Sequence, residues 1–247
     1  MIIEAKNLTA AYQKKKVLHD LSFTLKKGEK LGIVGESGSG KSTLTRVLSG
    51  FHPTIKGELS IRERPVQATV KDRRWLCKLV QVVFQDPFSS LDPQQTVQQV
   101  LEEPLLNFFT LTKEERNQQL LEIVEEVNLE KDLLKQKSRT VSGGQAQRIC
   151  IARALLARPD ILICDEPVTS LDMMTQIKIL NLLKKIVTEK QLSIVFVSHD
   201  ISLVFELCDT VLVLKDGKKM DFFKAADWHR PERSSYTNKL IHSVHLK

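Results

Sequence analysis

The stretch GESGSGKS (Gly35 to Ser42) constrains this chain more than any other part of it. It follows the short apolar run KLGIV and precedes KSTLTRVLSG, a helical segment closed by Gly50 as its C-cap. The spacing G-x-x-x-x-G-K-[ST], placed after a strand and before a helix, is that of a loop whose backbone wraps phosphates. Its glycines remove the Cβ atoms that would block a close approach, and its N–H groups turn inward. The expected cradle runs through Gly35, Glu36, Ser37, Gly38, Ser39, Gly40, Lys41, Ser42 and Thr43. In it Lys41 places a point charge at the β/γ-phosphates, and Ser42 offers a hydroxyl to Mg²⁺. Such a loop commits the chain to an α/β architecture and a nucleotide.

A companion lies downstream. ILICDEP (Ile161 to Pro167) reads as a buried strand ending in two carboxylates. Beside a phosphate loop, the first acid, Asp165, is placed to hold Mg²⁺, and the second, Glu166, to polarise an attacking water. Alone, adjacent acids at a strand end would read as a solvated turn.

Around these motifs the pattern changes twice. The first third is strand-like: SFTL and GELSIRE alternate, with one helix after the glycine loop. From TVQQVLEEPLLNFF through KEERNQQLLEIVEEVNLEKDLL, apolar residues recur at helical spacing, as in Leu120, Ile123, Val124 and Val127, over roughly 50 residues without a strand. The last part, from ILICDE through VLVLKDGK, alternates β-α-β-α-β, which reads as a parallel sheet with crossover helices. The expectation is one folding unit, residues 1–247, with a helical insertion at about 88–157.

The bulk numbers agree with a globular protein: 247 residues, 42% hydrophobic and 27% charged. Its longest apolar runs are strand-length, far short of the roughly 20 residues that span a bilayer. With Met1 leading straight into IIEAKNLTAAY, the expectation is a cytoplasmic chain that reaches a membrane through partners. The excess of 37 basic over 30 acidic residues, net +7, is dispersed. Its densest run, Lys14 to Lys16, is expected in a solvated loop. Cys77, Cys150, Cys164 and Cys208 lack metal-like spacing and read as packed, reduced thiols.

TVSGGQAQR (Thr140 to Arg148) looks like a second anion site, since a hydroxyl residue and two glycines open a helix. It has neither a lysine nor a metal-binding carboxylate beside it. The set GESGSGKS, VVFQDP, TVSGGQAQR, ILICDEP, SLD and VFVSHD, in this order and with a helical stretch after VVFQDP, resembles the ATP-binding-cassette ATPases from end to end. That resemblance implies an α/β P-loop NTPase core with a mostly parallel sheet, an antiparallel β subdomain and an inserted α-helical subdomain. It implies ATP and Mg²⁺ as cofactors. It also explains the second glycine-rich helix: two such domains pair head to tail, and the signature helix of one closes over the ATP of the other. Ser142, Gly143, Gly144 and Gln145 would then face a partner's γ-phosphate. Val141 stands where leucine is usual, a change that leaves the phosphate-facing atoms intact.

The resemblance carries further roles. Tyr12 matches the aromatic that stacks on adenine; a strand aromatic packing the core is the alternative. Gln85 matches the glutamine that reaches Mg²⁺ and the attacking water. Asp172 matches the loop crossing the dimer seam, and His199 the histidine that contacts the γ-phosphate and orients Glu166.

DPFSSLDPQQTVQQVLEEPL, DMMTQIKILNLL and the tail RPERSSYTNKLIHSV look like the subfamily of oligopeptide, dipeptide and nickel importers. Members of it commonly pair two different ATPases, with a homodimer as the other arrangement, beneath two integral-membrane permeases served by an extracytoplasmic binding protein. Residues Asp86 to Thr96 are the expected permease contact. The lack of a cysteine-bearing C-terminal extension leans toward nickel or a metal chelate, though an ATPase need not touch the cargo. His242 and His245 read as tail residues rather than metal ligands. The rival functions are a soluble cassette ATPase of DNA repair or translation, a regulatory module without turnover, and an exporter subunit. The first would require a long coiled-coil insertion or a second cassette, and the second conflicts with Glu166 and His199; no nucleic-acid partner is expected.

Overall fold

The runs KLGIV, ILICD and SIVFVS are apolar on both faces, which suits strands covered on both sides, and they lie side by side in one parallel sheet. The computed structural model describes residues 1–13, 15–52, 55–66, 70–230 and 232–242. Along them the chain runs β1 (Ile3–Tyr12), β2 (Lys15–Leu25), β3 (Lys30–Val34), α1 (Lys41–Leu48), β4 (Ile55–Ile61), β5 (Arg64–Pro65), α2 (Val70–Leu79) and β6 (Val80–Val83). There follow α3 (Val97–Phe108), α4 (Lys113–Glu126), α5 (Gly143–Leu156), β7 (Ile161–Asp165), α6 (Met173–Glu189), β8 (Ser193–Ser198), α7 (Ile201–Leu207), β9 (Thr210–Lys215), β10 (Lys218–Lys224) and α8 (Ser235–His242).

Two sheets form among the described residues. The larger has the order β10-β9-β3-β8-β7-β6, parallel except for β10, which returns antiparallel along β9. The smaller, β2-β1-β4-β5, is antiparallel. Strand alternation divides the core in two. Ile161, Ile163, Val195 and Val197 point toward α1 and the small sheet, with Leu44, Leu48 and Leu21. Leu162, Ile194 and Phe196 point the other way, onto Leu183 and Ile186 of α6. The buried stripes of α3, α4 and α5, such as Val100, Ile123 and Ile149, join that same second core.

Between β6 and β7 no described residue forms a strand, apart from one isolated bridge between Thr96 and Lys137. Three helices there begin with capping boxes: Thr96 with Gln99, Thr112 with Glu115, and Ser142 with Gln145. Each satisfies two orphan backbone donors, and the capping side chain alone stabilises a helix by about 1 kcal/mol.

Three expectations change. Lys15 and Lys16 open β2 rather than sitting in a loop, and Lys14 lies outside the described residues. They open an edge strand, where lysines block pairing with foreign strands. Helix α2 is a second helix in the first third, and β10 adds an antiparallel edge strand after VLVLKDGK. The cysteines match expectation: all four are unpaired, three are buried, and burial pushes every thiol above its ordinary pKa. No described helix is long and apolar enough to cross a membrane.

Candidate active site

Strand order assembles the site. β3, β8, β7 and β6 are consecutive neighbours, and their C-terminal ends fall almost level, with Val34 opposite Ser198, Val197 opposite Asp165, and Cys164 opposite Val83. Adjacent strands lie about 4.8 Å apart. The residues that follow the four ends are therefore delivered to one edge: the Gly35 loop, His199, Glu166 and Gln85. They line a shared open cavity of about 410 Å³, with Ser37, Gly38, Gly40, Lys41, Ser42 and Thr43 on its floor. Six of the nine expected cradle residues thus line it. Gly35 and Ser39 are buried beneath, and Glu36 is exposed at the start of the loop.

The loop's shape requires its glycines. A Cβ on Gly35 would meet the Leu214 carbonyl at 2.2 Å and the Ser39 hydroxyl at 2.6 Å; one on Gly40, at φ 102°, would meet Leu18 at 2.8 Å. Lys41 is 6% exposed, and its Nζ donates to the carbonyls of Gly35 (2.8 Å) and Glu36 (2.9 Å). Burial lowers its pKa, opposed by the carboxylates of Glu166 and Asp165. The Ser39 hydroxyl is buried with no hydrogen-bond partner among the described residues. A cationic side chain held beside a glycine loop at the start of a helix forms a site matched to polyphosphate.

Asp165 sits behind the loop. Burial raises its pKa, and the hydrogen bond from Ser42 is the main opposing influence. A hydroxyl and one carboxylate, both hard oxygen donors beside a phosphate cradle, fit Mg²⁺, which is typically held by one or two carboxylates plus substrate phosphates. No cluster of three His, Cys, Asp or Glu with metal-holding geometry occurs among the described residues.

Glu166 turns sharply out of β7. Its φ is 49°, a left-handed conformation costing a non-glycine residue about 1–2 kcal/mol, and its N–H is anchored to the Val197 carbonyl at 2.9 Å. The turn brings its Oε2 to 3.2 Å from His199 Nδ1 and 3.2 Å from the Thr169 hydroxyl. A carboxylate fixed in this way at the cavity wall can accept a proton from a water in front of the phosphates. Gln85 is exposed on the same wall.

Tyr12 does not pack in the core. It is 41% exposed at the end of β1, its hydroxyl accepts from Arg46 at 3.0 Å, and its ring meets His52 edge-on at 4.7 Å between centroids. It is not among the residues lining the 410 Å³ cavity, which Val17 approaches instead. The flanking Arg46 and His52 carry no motif that the sequence could reveal.

Ser142, Gly144 and Gln145 line a different cavity of about 300 Å³, and the two cavities share no residue. The capping box accounts for two donors there: Ser142 N–H to Gln145 Oε1 (2.8 Å) and Gln145 N–H to Ser142 Oγ (3.3 Å). The N–H groups of Gly143 and Gly144 remain without an acceptor among the described residues. The S-x-x-Q spacing that would have announced this box was in the sequence. Asp172 caps α6: it accepts from the Thr175 N–H (3.0 Å) and the Thr175 hydroxyl (2.6 Å), and these bonds hold its carboxyl below the usual range. Thr175 also packs on α5, since a Cβ on Gly144 would approach its methyl to 2.8 Å. Within this chain Asp172 and the signature residues therefore adjoin each other, not the nucleotide cavity.

Known proteins fit this geometry. The family described as ABC transporter matches residues 18–169. The dipeptide transport ATP-binding protein DppF of Haemophilus influenzae is 40% identical over 96% of this chain and 72% of its own length. The nickel import ATP-binding protein NikE of Escherichia coli is 37% identical over 84% and 78%. Among solved structures, the ATP-binding cassette MJ0796, a dimer in a post-hydrolysis state bound to ADP and Pi, is 30% identical with a TM-score of 0.81, over 90% of this chain and 98% of that one. The match over residues 18–169 and the relatives covering most of both chains show the family: this chain belongs to the ABC transporter family, as an ATP-hydrolysing domain of the α/β P-loop class.

Proposed function

We propose that this ATPase powers an importer, as one of two cassettes beneath a pair of integral-membrane permeases at the cytoplasmic face of the membrane. The cargo is a peptide or a nickel or other metal chelate handed over by an extracytoplasmic binding protein. The observation that carries the reading is a single step along the chain. Phe84 lines a groove of about 240 Å³ with Phe51, Glu103, Pro104 and Asn107, while its neighbour Gln85 lines the nucleotide cavity. A short cytoplasmic helix of a permease, seated in that groove beside Asp86 to Thr96, would press on the residue next to the one facing ATP.

In this reading residues 1–247 are one nucleotide-binding domain, with 88–157 as its helical insertion. The P-loop residues and Lys41 hold the triphosphate and Tyr12 stacks on adenine. Ser42, Asp165 and Gln85 hold Mg²⁺, which when bound neutralises charge on the β- and γ-phosphates. Gln85 orients the attacking water, Glu166 takes its proton, and His199 holds Glu166 and touches the γ-phosphate. The free N–H groups of Gly143 and Gly144, with Ser142, Gln145 and Asp172, complete the site of the second cassette. Departure of the γ-phosphate removes the group that both cassettes hold, so hydrolysis switches the pair between closed and open. The similarity to DppF and NikE supports peptide or nickel cargo.

Affinity purification of the tagged chain from membranes tests this. Recovery of two integral-membrane subunits is expected, with the cargo identified from the ligand on a copurifying binding protein. Recovery of DNA or ribosomes instead would favour the soluble DNA-repair or translation ATPase and overturn the importer.

A further inference from the structure

The first peptide unit of the phosphate loop is held from behind by the far end of the chain. The N–H of Glu36 donates to the phenol oxygen of Tyr236 at 3.0 Å, across 200 residues of sequence. Tyr236 is 7% exposed on α8. The segment opening α8 is fastened to β10: Asp221 Oδ2 accepts from the Ser234 hydroxyl (2.6 Å), the Ser234 N–H (3.2 Å) and the Thr237 hydroxyl. The Lys215 ammonium lies 4.9 Å from the centre of the Tyr236 ring. Burial pushes the phenol's pKa up, so the oxygen that meets Glu36 is uncharged at neutral pH.

The Glu36 N–H belongs to the same trans peptide as the Gly35 carbonyl, and the two point in opposite directions. That carbonyl accepts from Lys41 Nζ at 2.8 Å. Gly35 has no side chain to restrain the plane, and glycine backbone is the most permissive there is. Its orientation therefore depends on what grips each end, and the grip outside the cavity is Tyr236. We propose that Tyr236 is a positioning residue for nucleotide binding: by holding Glu36 N–H, it fixes the peptide that parks and aims the Lys41 ammonium. The proposal rests on the ATPase assignment and is independent of cargo and of permeases.

The test is Tyr236→Phe in the full chain, which deletes the acceptor and keeps the ring against Lys215. One hydrogen bond is worth a net 0.5–1.5 kcal/mol, so the Kd for MgATP and MgADP should rise about two- to twelvefold. KM should rise with it, while kcat stays within about twofold and Tm falls by no more than about 6 °C, since the same bond is lost from the nucleotide-free fold. Amide hydrogen exchange on the unsubstituted chain gives a readout that does not depend on the variant folding: Glu36 N–H should be protected without nucleotide. An unchanged Kd in a folded variant, a loss confined to kcat or Tm, or a freely exchanging Glu36 amide in the unsubstituted protein would each overturn the proposal. Failure of the unsubstituted chain to bind MgATP at all would be visible first; it would overturn the nucleotide site itself, and this role with it.

Discussion

Asp165 shows how far the site departs from what folding alone would select. Burial raises its pKa, and the neighbouring Glu166 charge pushes in the same direction against the Ser42 hydrogen bond. A carboxyl raised on folding favours the native state only while it is protonated. That stabilisation is present below the ordinary carboxylate pKa of about 4 and is lost as pH rises through the higher folded value. Ionising this carboxyl in the nucleotide-free protein therefore works against burial, a cost that a divalent cation beside it would relieve. Asp165→Asn keeps the shape and the acceptor for Ser42 without the charge. It should raise the Tm of the nucleotide-free chain at pH 7 by about 2–4 °C, on the order of 1 kcal/mol, with the gain shrinking toward pH 4. The same substitution should remove the extra stabilisation that MgATP gives over ATP with a chelator. Paired melting curves check both, and a lower Tm for the variant at pH 7 would show that Asp165 is held by favourable contacts and not strained by burial. At Glu166, whose left-handed turn is anchored through its backbone, Glu166→Gln should preserve the turn and MgATP affinity while reducing hydrolysis by at least about 100-fold, since it removes the proton acceptor alone. A single-turnover assay beside a binding titration separates the two effects.

At the scale of elements, the start of α5 lies against α6 where Gly144 faces the Thr175 methyl. Gly144→Ala has helix propensity in its favour by up to about 1 kcal/mol, yet it drives a Cβ to within 2.8 Å of a stiff β-branched side chain. Overpacking of this kind costs about 1–3 kcal/mol, so the variant should be less stable than the parent. Thr175→Ser removes that methyl and keeps the hydroxyl that donates to Asp172, so the double variant should recover most of the loss. Denaturant titration of the three variants measures the coupling, and strict additivity would dispose of the contact. Gly143→Ala, with Leu171 at an ordinary 3.6 Å, should fold as well as the parent. Much of this level was legible in the sequence. The buried strands β3, β7 and β8 announce themselves as apolar runs, and the α3 to α5 region by its helical period. Helix α2, with the sequence VKDRRWLCKL, was not legible, because its few apolar residues are interleaved with five charges in a single short stretch. Strand β10, KKMDFFK, is an edge strand with mostly exposed positions, so burial imprints little alternation on it. The P-loop and Glu166 were legible as motifs at strand ends, and Gln85 and His199 through the family resemblance. Tyr236 escaped, since its partner is a backbone N–H that no side-chain pattern can mark.

At the scale of the whole molecule, one chain carries two separate cavities, each beside a glycine-rich helix start. Lys41, Gln85, Glu166 and His199 surround one cavity; Ser142, Gly144 and Gln145 line another, and no residue belongs to both. Like the start of α4, the start of α5 leaves two N–H groups for water or a ligand after its capping box is made. The pairing proposed above gives those donors a ligand and predicts a division of labour between the sites. Ser142→Arg fills the second site and removes the α5 cap, costing about 1 kcal/mol of stability. It leaves the strand ends around Lys41 untouched, so the isolated variant should bind MgATP with the parent's Kd. Hydrolysis should nevertheless fall in whatever pair the variant joins, because the partner's nucleotide loses its closing surface. Lys41→Ala should show the reverse pattern, weak binding by its own loop with an intact surface for the mate. If the chain pairs with itself, mixing the two inactive variants creates pairs in which one Lys41 loop meets one intact Ser142, and hydrolysis should return to about a quarter of the parent rate at equal amounts, by random assortment of two chains with one working site in each mixed pair. If its mate is a different cassette, each variant must be assembled with that mate, and each should inactivate a different one of the two sites. Loss of MgATP binding by isolated Ser142→Arg would place both anion sites around a single nucleotide and end the pairing model. So would parental activity that stays strictly proportional to enzyme concentration down to dilutions at which no dimer survives.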